Sequence, residues 1–376
     1  MEENLFVMGV LIAMVPLCGI LLAITPWLMR KSECFAVSVP ESSRNDERLR
    51  AMKRRYLIVM LAITALCTIV VVGTCTGIDQ NPALFTAVYI AAAMIPQVAG
   101  FGLMLYFRSK VQLIKFDENW VSAKDVQIRS AVIGEEEAEA PQAISLLWNL
   151  LYVPIIVACV VVPLLGYDQL PSQIPMHAGF DGEVDSYADK SVLAIMFPAF
   201  LNAFLAVCFT FSHLAIKMSK KHREPGAPRT SEYAYGMFAR AQSIFLLSCG
   251  LLMCAAMGST LILSDFGIIN LMAACVIILG IAAIVVVAAI AISVVYGQAG
   301  SRLFSRMQDQ DILLCDDDRY WKLGIFYVNP DDPSLFLPQR FGVGWTCNFG
   351  RKATWLIIAG FALVTLAFIW ICVQMV

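Results

Sequence analysis

His177 is set in a run of carboxylates. The segment GYDQLPSQIPMHAGFDGEVDSYADKS (Gly166 to Ser191) places Asp168, Asp181, Glu183, Asp185 and Asp189 around it, with one cation, Lys190. An imidazole beside a carboxylate can ligate a metal, move a proton, or hold a loop in shape by hydrogen bonding. Asp181, Glu183 and Asp185 alternate as calcium ligands do. The twelfth position counted from Asp181, however, is Val192, where a calcium loop needs a bidentate glutamate. Catalytic zinc needs three protein ligands, and the segment has one histidine. Neither metal pattern is complete, so no cofactor is expected. Pro171 and Pro175 disfavour a helix ahead of them, and Gly179 and Gly182 permit a tight reversal. A stiff loop of one charge sign suits a cationic or peptidic ligand. Its candidate contacts are Pro175, His177, Asp181, Gly182, Glu183, Asp185 and Lys190. The competing reading is that His177 only fixes the shape of its own loop.

What must hold this loop in place is a membrane protein. The 376 residues are 59% hydrophobic and only 15% charged, with a mean hydropathy of +0.72. Soluble domains carry about 25% charged residues, so the apolar surplus must face lipid. A secreted, cytosolic or disordered protein is thereby excluded. The near balance of 27 Lys and Arg against 29 Asp and Glu argues against a basic nucleic-acid binder. Eight stretches have the ~20 apolar residues needed to cross a bilayer. They run from about Leu5 to Met29, Leu57 to Gly77, Ala83 to Phe107, Leu146 to Gly166, Val192 to Ile216, Gly236 to Leu263, Ile268 to Tyr296, and Thr354 to Val376. They are continuous rather than alternating, so they are helices and not barrel strands. Met1-Glu2-Glu3-Asn4 is acidic and the apolar run after it is long, so the first stretch reads as a retained helix.

Orientation follows from Lys and Arg. The connections 30–56, 108–145, 217–240 and 297–353 hold eight, five, six and seven of them, and Lys190 is the one left over. With eight spans, all four basic connections share the cytoplasmic side. The His177 loop and both termini then face outward, in the cytoplasmic membrane. Of the cysteines, most lie within the spans and the outer connections have none. No CxxC occurs, which disfavours a disulfide framework or structural zinc.

Ser43 can cap a helix that opens with Asp46 and Glu47, closes on Lys53, Arg54 and Arg55, and continues into the second span. It reads as a basic, solvated, membrane-proximal helix. FDENWV (Phe116 to Val121) reads as a strand or turn, and GEEEAEAP (Gly134 to Pro141) as a solvated acidic run. The piece DDDRYWKLGIFYVNPDDPSLFLPQRFGVGWTCNFG (Asp316 to Gly350) is crowded with aromatics, Trp321, Tyr327 and Trp345 among them. Its NPDDP turn and its bend at Gly342 and Gly344 predict a small antiparallel hairpin or meander. It is too short for an independent core, so it should pack against the cytoplasmic membrane face. Aromatics beside Lys322, Arg340, Arg351 and Lys352 could suggest single-strand binding, but Asp316, Asp317, Asp318, Asp331 and Asp332 oppose a phosphate track. No nucleic-acid partner is expected.

The order LPxxIPxHxxxxGEVDxYxxK is carried here by Leu170, Pro171, Ile174, Pro175, His177, Gly182, Glu183, Val184, Asp185, Tyr187 and Lys190. It resembles the membrane domain of unknown function in SdpI-like bacterial proteins, over roughly 150–215. Such proteins confer immunity to a secreted toxic peptide and take part in signalling. The aromatic piece resembles a second short module of unknown function. The resemblance implies the same membrane fold and, for the outer loop, an extracellular peptide.

The expected fold is therefore an all-α polytopic membrane protein of about eight transmembrane helices, with a small cytoplasmic aromatic β-hairpin-like module before the last helix. Its parts are a three-helix region (1–145), a motif domain (146–216), two further helices (217–297), the aromatic module (298–353) and a final helix (354–376). HExxH, GxSxG and P-loop patterns are absent. The expectation is a non-enzymatic protein that senses, or confers immunity to, an extracellular peptide, with the bilayer and a cytoplasmic regulator as further partners. The alternatives are a transporter or lipid-handling protein, and a membrane hydrolase using His177 with Asp181 or Asp185.

Overall fold

The computed structural model describes residues 2–30, 32–40, 43, 45–75, 82–120, 140–179, 184–221, 228–307, 317–342 and 344–375. Asp181, Gly182, Glu183 and nearly all of the acidic run after Gly134 lie outside the described residues. Among those described, eight helices are long and apolar enough to cross a bilayer. They are α1 (Glu2–Leu28), α2 (Glu47–Cys75), α3 (Pro82–Asp117), α4 (Tyr152–Leu165, entered through a 3-10 turn at Leu146–Leu151), α6 (Phe197–Lys217), α7 (Pro228–Asp265), α8 (Leu271–Tyr296) and α10 (Lys352–Met375). Two short helices, α5 (Val192–Ile195) and α9 (Ser301–Met307), complete the set.

The helices form two groups. α1, α2 and α3 pack together around Met8, Val15, Cys67, Val71, Phe85 and Ala92. α4, α6, α7 and α8 form the second group, α10 leans on α6, and α1 meets α8 between the groups. Small residues let backbones approach, as expected where lipid supplies no hydrophobic drive between helices. A Cβ at Gly258 of α7 would sit 2.6 Å from the Cys159 sulfur of α4 and 2.7 Å from Asn202 of α6. The outer surfaces of the helices remain apolar and exposed, as at Leu66, Ile69, Val98, Leu363 and Trp370.

Length decides the rest. A ~30 Å hydrocarbon core needs about 20 residues at 1.5 Å each. α2, α3 and α7 have 29, 36 and 38 residues. Their charged ends therefore overrun the bilayer on the face that carries the basic connections, called here the basic face. The opposite face carries an antiparallel hairpin, β3 (Gln173–Ala178) with β4 (Val184–Asp189).

Three details differ from the sequence reading. α2 starts at Glu47 and is capped by Asp46, whose carboxylate accepts from the Arg48 N–H at 2.8 Å; Ser43 lies too far upstream. The fifth span is broken. Ser191 caps α5, and α6 restarts at Phe197, because Pro198 has no N–H to continue the ladder. Third, connection 30–56 is not only a solvated helix. It begins with a buried hairpin, β1 (Glu33–Cys34) with β2 (Val37–Ser38), whose turn residues Phe35 and Ala36 have positive φ and no solvent exposure. Of the strand or turn expected from Phe116, the structure forms the turn, at Glu118 and Asn119 beyond the end of α3.

The aromatic piece folds as two small antiparallel pairs. β5 (Trp321–Lys322) pairs with β6 (Phe326–Tyr327), and β7 (Phe336–Pro338) with β8 (Trp345–Cys347). A bridge from Tyr327 to Asn348 joins them.

The tight α4–α6–α7 seam makes a prediction. Gly258→Val should force that seam apart and cost about 1–3 kcal/mol, the usual range for overpacking. Gly280→Val should be tolerated, since nothing lies within 4 Å of a Cβ there. Thermal unfolding midpoints of the two variants in detergent would check this.

Candidate functional site

The hairpin is held to the helices by its apolar side. Period-two alternation turns Ile174 and Ala188 inward as a cross-strand pair, and both are buried. Ile174, Leu170 and Ile195 form one cluster, with Tyr167, Met176, Met196 and Phe266 packed on it. Gly166 is required here, because a Cβ would sit 2.4 Å from the Phe266 ring. Each buried aliphatic side chain contributes about 1.5–3 kcal/mol.

The other side faces outward. It presents Gln173, His177, Asp185, Tyr187 and Asp189 exposed, with Pro175 half-buried among them. The register shifts on either side of His177, which pairs with Ser186. The His177 Nδ1 lies 2.5 Å from Asp185 Oδ1, and both side chains are more than half exposed. Such an exposed pair is worth about 0–1 kcal/mol. The hairpin therefore does not depend on it, whereas three buried aliphatics do hold the hairpin. Lys190 is differently placed. Its ammonium donates to the Leu170 carbonyl at 3.0 Å and covers the Tyr167 ring at 4.6 Å, so it braces the base of the hairpin.

Of the seven outer candidates, the structure brings Pro175, His177 and Asp185 onto one face and sets Lys190 beneath them. Asp181, Gly182 and Glu183 lie outside the described residues. Among the described residues no group of three or more His, Cys, Asp and Glu side chains could hold a metal ion. His177 bonds to no serine or cysteine among them.

At the basic face a charge cluster locks the module down. Arg340 is 3% exposed. Its guanidinium bonds Asp317 and Asp318, donates to the Ala36 carbonyl and the Ser38 hydroxyl, each at 3.1 Å, and stacks 5.1 Å over the Trp321 ring. Lys115 at the end of α3 reaches Asp318 at 2.6 Å. Arg108, buried on α3, donates to the carbonyls of Ala36 and Trp321. Burial would raise the Asp318 carboxyl, but Arg340 and Lys115 together hold it below the usual carboxylate range. Phe35 stacks on Phe107 of α3 at 5.1 Å and on Phe341 at 6.4 Å.

A second network fixes the NPDDP turn. Asn348, fully buried, donates to the carbonyls of Asn329 and Asp332 and accepts from the N–H of Asn329 and Gly350. The Tyr327 hydroxyl donates to Asp332 at 3.0 Å, and Lys220, just beyond α6, reaches the same carboxylate at 2.6 Å. Burial opposes the Asp332 charge, yet the bonds from Lys220, Ser334 and Tyr327 prevail and bring its pKa down to about 2. Trp321 and Tyr327 are buried core, and Trp345 stacks on Phe238 of α7 at 5.7 Å.

The sequence reading missed Arg108, Lys115 and Arg340 as partners, and Glu33, whose carboxylate lies 3.7 Å from the Arg340 Nε. Arg108 and Lys115 were counted as topology charges. The available signal was their place at the end of an apolar span that continues unbroken as helix.

The clamp and the turn network both depend on carboxylates ionised at low pH. A folded pKa held low contributes stability that is complete above the unfolded value near 4 and is lost as pH falls through about 2. Indole fluorescence of the protein in detergent should therefore report loosening of the module between about pH 4 and 2. At neutral pH, Arg340→Met should cost about 3–5 kcal/mol in an SDS-titration unfolding assay, because it removes the buried cation of the network and leaves Asp318 with Lys115 alone.

The comparisons with known proteins agree with these two regions. Residues 155–201, covering most of α4, the hairpin and the start of α6, match a domain of unknown function, DUF1648. Residues 330–355, covering the second strand pair and the start of α10, match a family of unknown function, DUF5808. No curated protein and no solved structure gives a significant match. The chain is thus a multi-pass protein that carries an SdpI-like DUF1648 domain and a separate DUF5808 region.

Proposed function

We propose that the protein is a non-enzymatic receptor or immunity protein of the cytoplasmic membrane, in which the outward hairpin engages an extracellular peptide. The basic connections face the cytoplasm and both termini face outward, by the distribution of Lys and Arg. The observation that carries the reading is the exposed acidic face of the hairpin, bearing His177, Asp185, Tyr187 and Asp189 on a rigid apolar base. A two-stranded sheet also leaves each strand one edge free of strand pairing among the described residues. An extended cationic peptide can add to such an edge by main-chain hydrogen bonds while the carboxylates select its charge.

A route to the opposite face supports the signalling half of this reading. α6 follows directly on the hairpin and α5. Its Phe211 meets Phe336 of the module edge-on at 5.9 Å, and Ser219 just beyond it forms a β-bridge with Phe336. A tilt of α6 would be felt in the module, where a cytoplasmic regulator would read it.

A transporter is the second reading, and one observation favours it. The Tyr152 hydroxyl and the Asn202 Oδ1 are buried in the α4–α6–α7 seam with no partner among the described residues. Polar groups at membrane depth often mark a solute path.

Deleting the gene should sensitise cells to a secreted cationic peptide. His177→Ala with Asp185→Asn, expressed at the normal level, should restore about tenfold less protection than the native chain, as expected for one lost charge-assisted contact. Unchanged sensitivity across a broad peptide panel would sink the proposal, and ligand-driven flux in reconstituted vesicles would favour the transporter. Sidedness has its own check: Ser172→Cys should react with a membrane-impermeant maleimide in intact cells.

A further inference from the structure

A small cavity of about 50 Å³ opens at the basic face between the end of α6, the start of α7 and the segment 140–143. One water needs only about 10–15 Å³ on this measure, so there is room for several waters or one small polyatomic group. Its walls include Lys217, Ser219, Lys221, Glu232, Tyr235 and Gly236. Gly236 makes the close wall possible, since a Cβ there would lie 2.0 Å from the Pro141 carbonyl oxygen.

Polar groups converge here around the Tyr235 hydroxyl. Ser219 and Tyr235 are 7% and 4% exposed, and neither hydroxyl makes a hydrogen bond of good geometry among the described residues. The indole N–H of Trp345 is also buried, and both it and the Ser219 hydroxyl interact with the Tyr235 hydroxyl. Poorly paired buried polar groups are costly, and a further acceptor beside this trio would take the donors that their own contacts leave over. An indole N–H can only donate, and both hydroxyls can donate. The rim adds the ammonium groups of Lys217 and Lys221. The one carboxylate among the described lining residues, Glu232, is engaged by Lys221 at 3.0 Å, while Lys217 has no ion-pair partner among the described residues. Such a donor-rich, net-positive pocket is built for an acceptor with negative charge and not for a metal cation.

We propose that this cavity is an oxyanion site that takes a phosphate group, either of a lipid headgroup or of a soluble phosphate compound. Its position supports the chemistry. It sits where α6 leaves the apolar zone, among a Trp and a Tyr of the kind that favour the headgroup layer. Basic pockets between helices at this level hold lipid phosphates. The site also adjoins the module, because Trp345 of the module lies against Tyr235, which lines the cavity from α7. Occupancy would fasten the module to the helices. The inference is independent of the peptide reading.

The test uses the full-length protein in nanodiscs. One arm adds phosphatidylglycerol to a phosphatidylcholine background and counts retained lipid by native mass spectrometry. The other arm adds radiolabelled inorganic phosphate and measures binding by equilibrium dialysis. Saturable binding in the first arm assigns the group to a headgroup, and in the second to a soluble compound. In either case Ser219→Ala with Tyr235→Phe should weaken binding about tenfold. Lys217→Gln, an exposed substitution that leaves the fold alone, should weaken it as well and serves if the double variant does not fold. Absence of saturable binding in both arms, or binding in the variants equal to the native chain, would mean that water alone fills the cavity and would overturn the proposal.

Discussion

The Arg340 guanidinium is the constraint on which the basic face depends. A cation that is 97% removed from solvent is tolerable only if every donor is used and nearby charge offsets it. Here two carboxylates of the module, a carbonyl and hydroxyl of the first hairpin, and a tryptophan ring meet that requirement together. The consequence is architectural. Residues from positions 33–38, 108–115 and 317–341 must arrive at one point, so the first connection, the end of α3 and the module cannot shift independently. The aromatic stack of Phe35, Phe107 and Phe341 seals the same point from the apolar side.

The opposite face follows another logic. The His177–Asp185 pair is exposed and adds little to stability, while buried aliphatics below it hold the hairpin. Stability is thus assigned to one side of the two-stranded sheet, which leaves the other side exposed. α6 links the two faces, with the hairpin before its first residues and the module against its last. Its break at Met196 separates a short helix packed under the hairpin from the long span that reaches the module.

Much of the site was legible in residue order. Pro175, His177 and Asp185 could be named as one outward cluster from the charge of their segment, and the structure sets them on one face. The brace role of Lys190 was not legible, because it depends on where Leu170 and Tyr167 come to rest after the chain turns. The module was expected as a small aromatic hairpin or meander, and two short strand pairs form, against the ends of α6 and α7. Its acidic residues, read as a reason against phosphate tracks, proved to be partners for Arg340, Lys115 and Lys220.

The amino-acid sequence by itself determined the number of helices long and apolar enough to cross a bilayer and the placing of basic residues in their connections. Both follow from transfer energies summed along a local stretch, and such sums do not need a fold. The tertiary structure alone decided which charges meet, which buried hydroxyls share one place, and that a hairpin from residue 33 belongs to a module near residue 340. Those outcomes depend on side chains about 300 positions apart sharing one desolvated space, where the energy of each is set by its neighbours and not by its order in the chain.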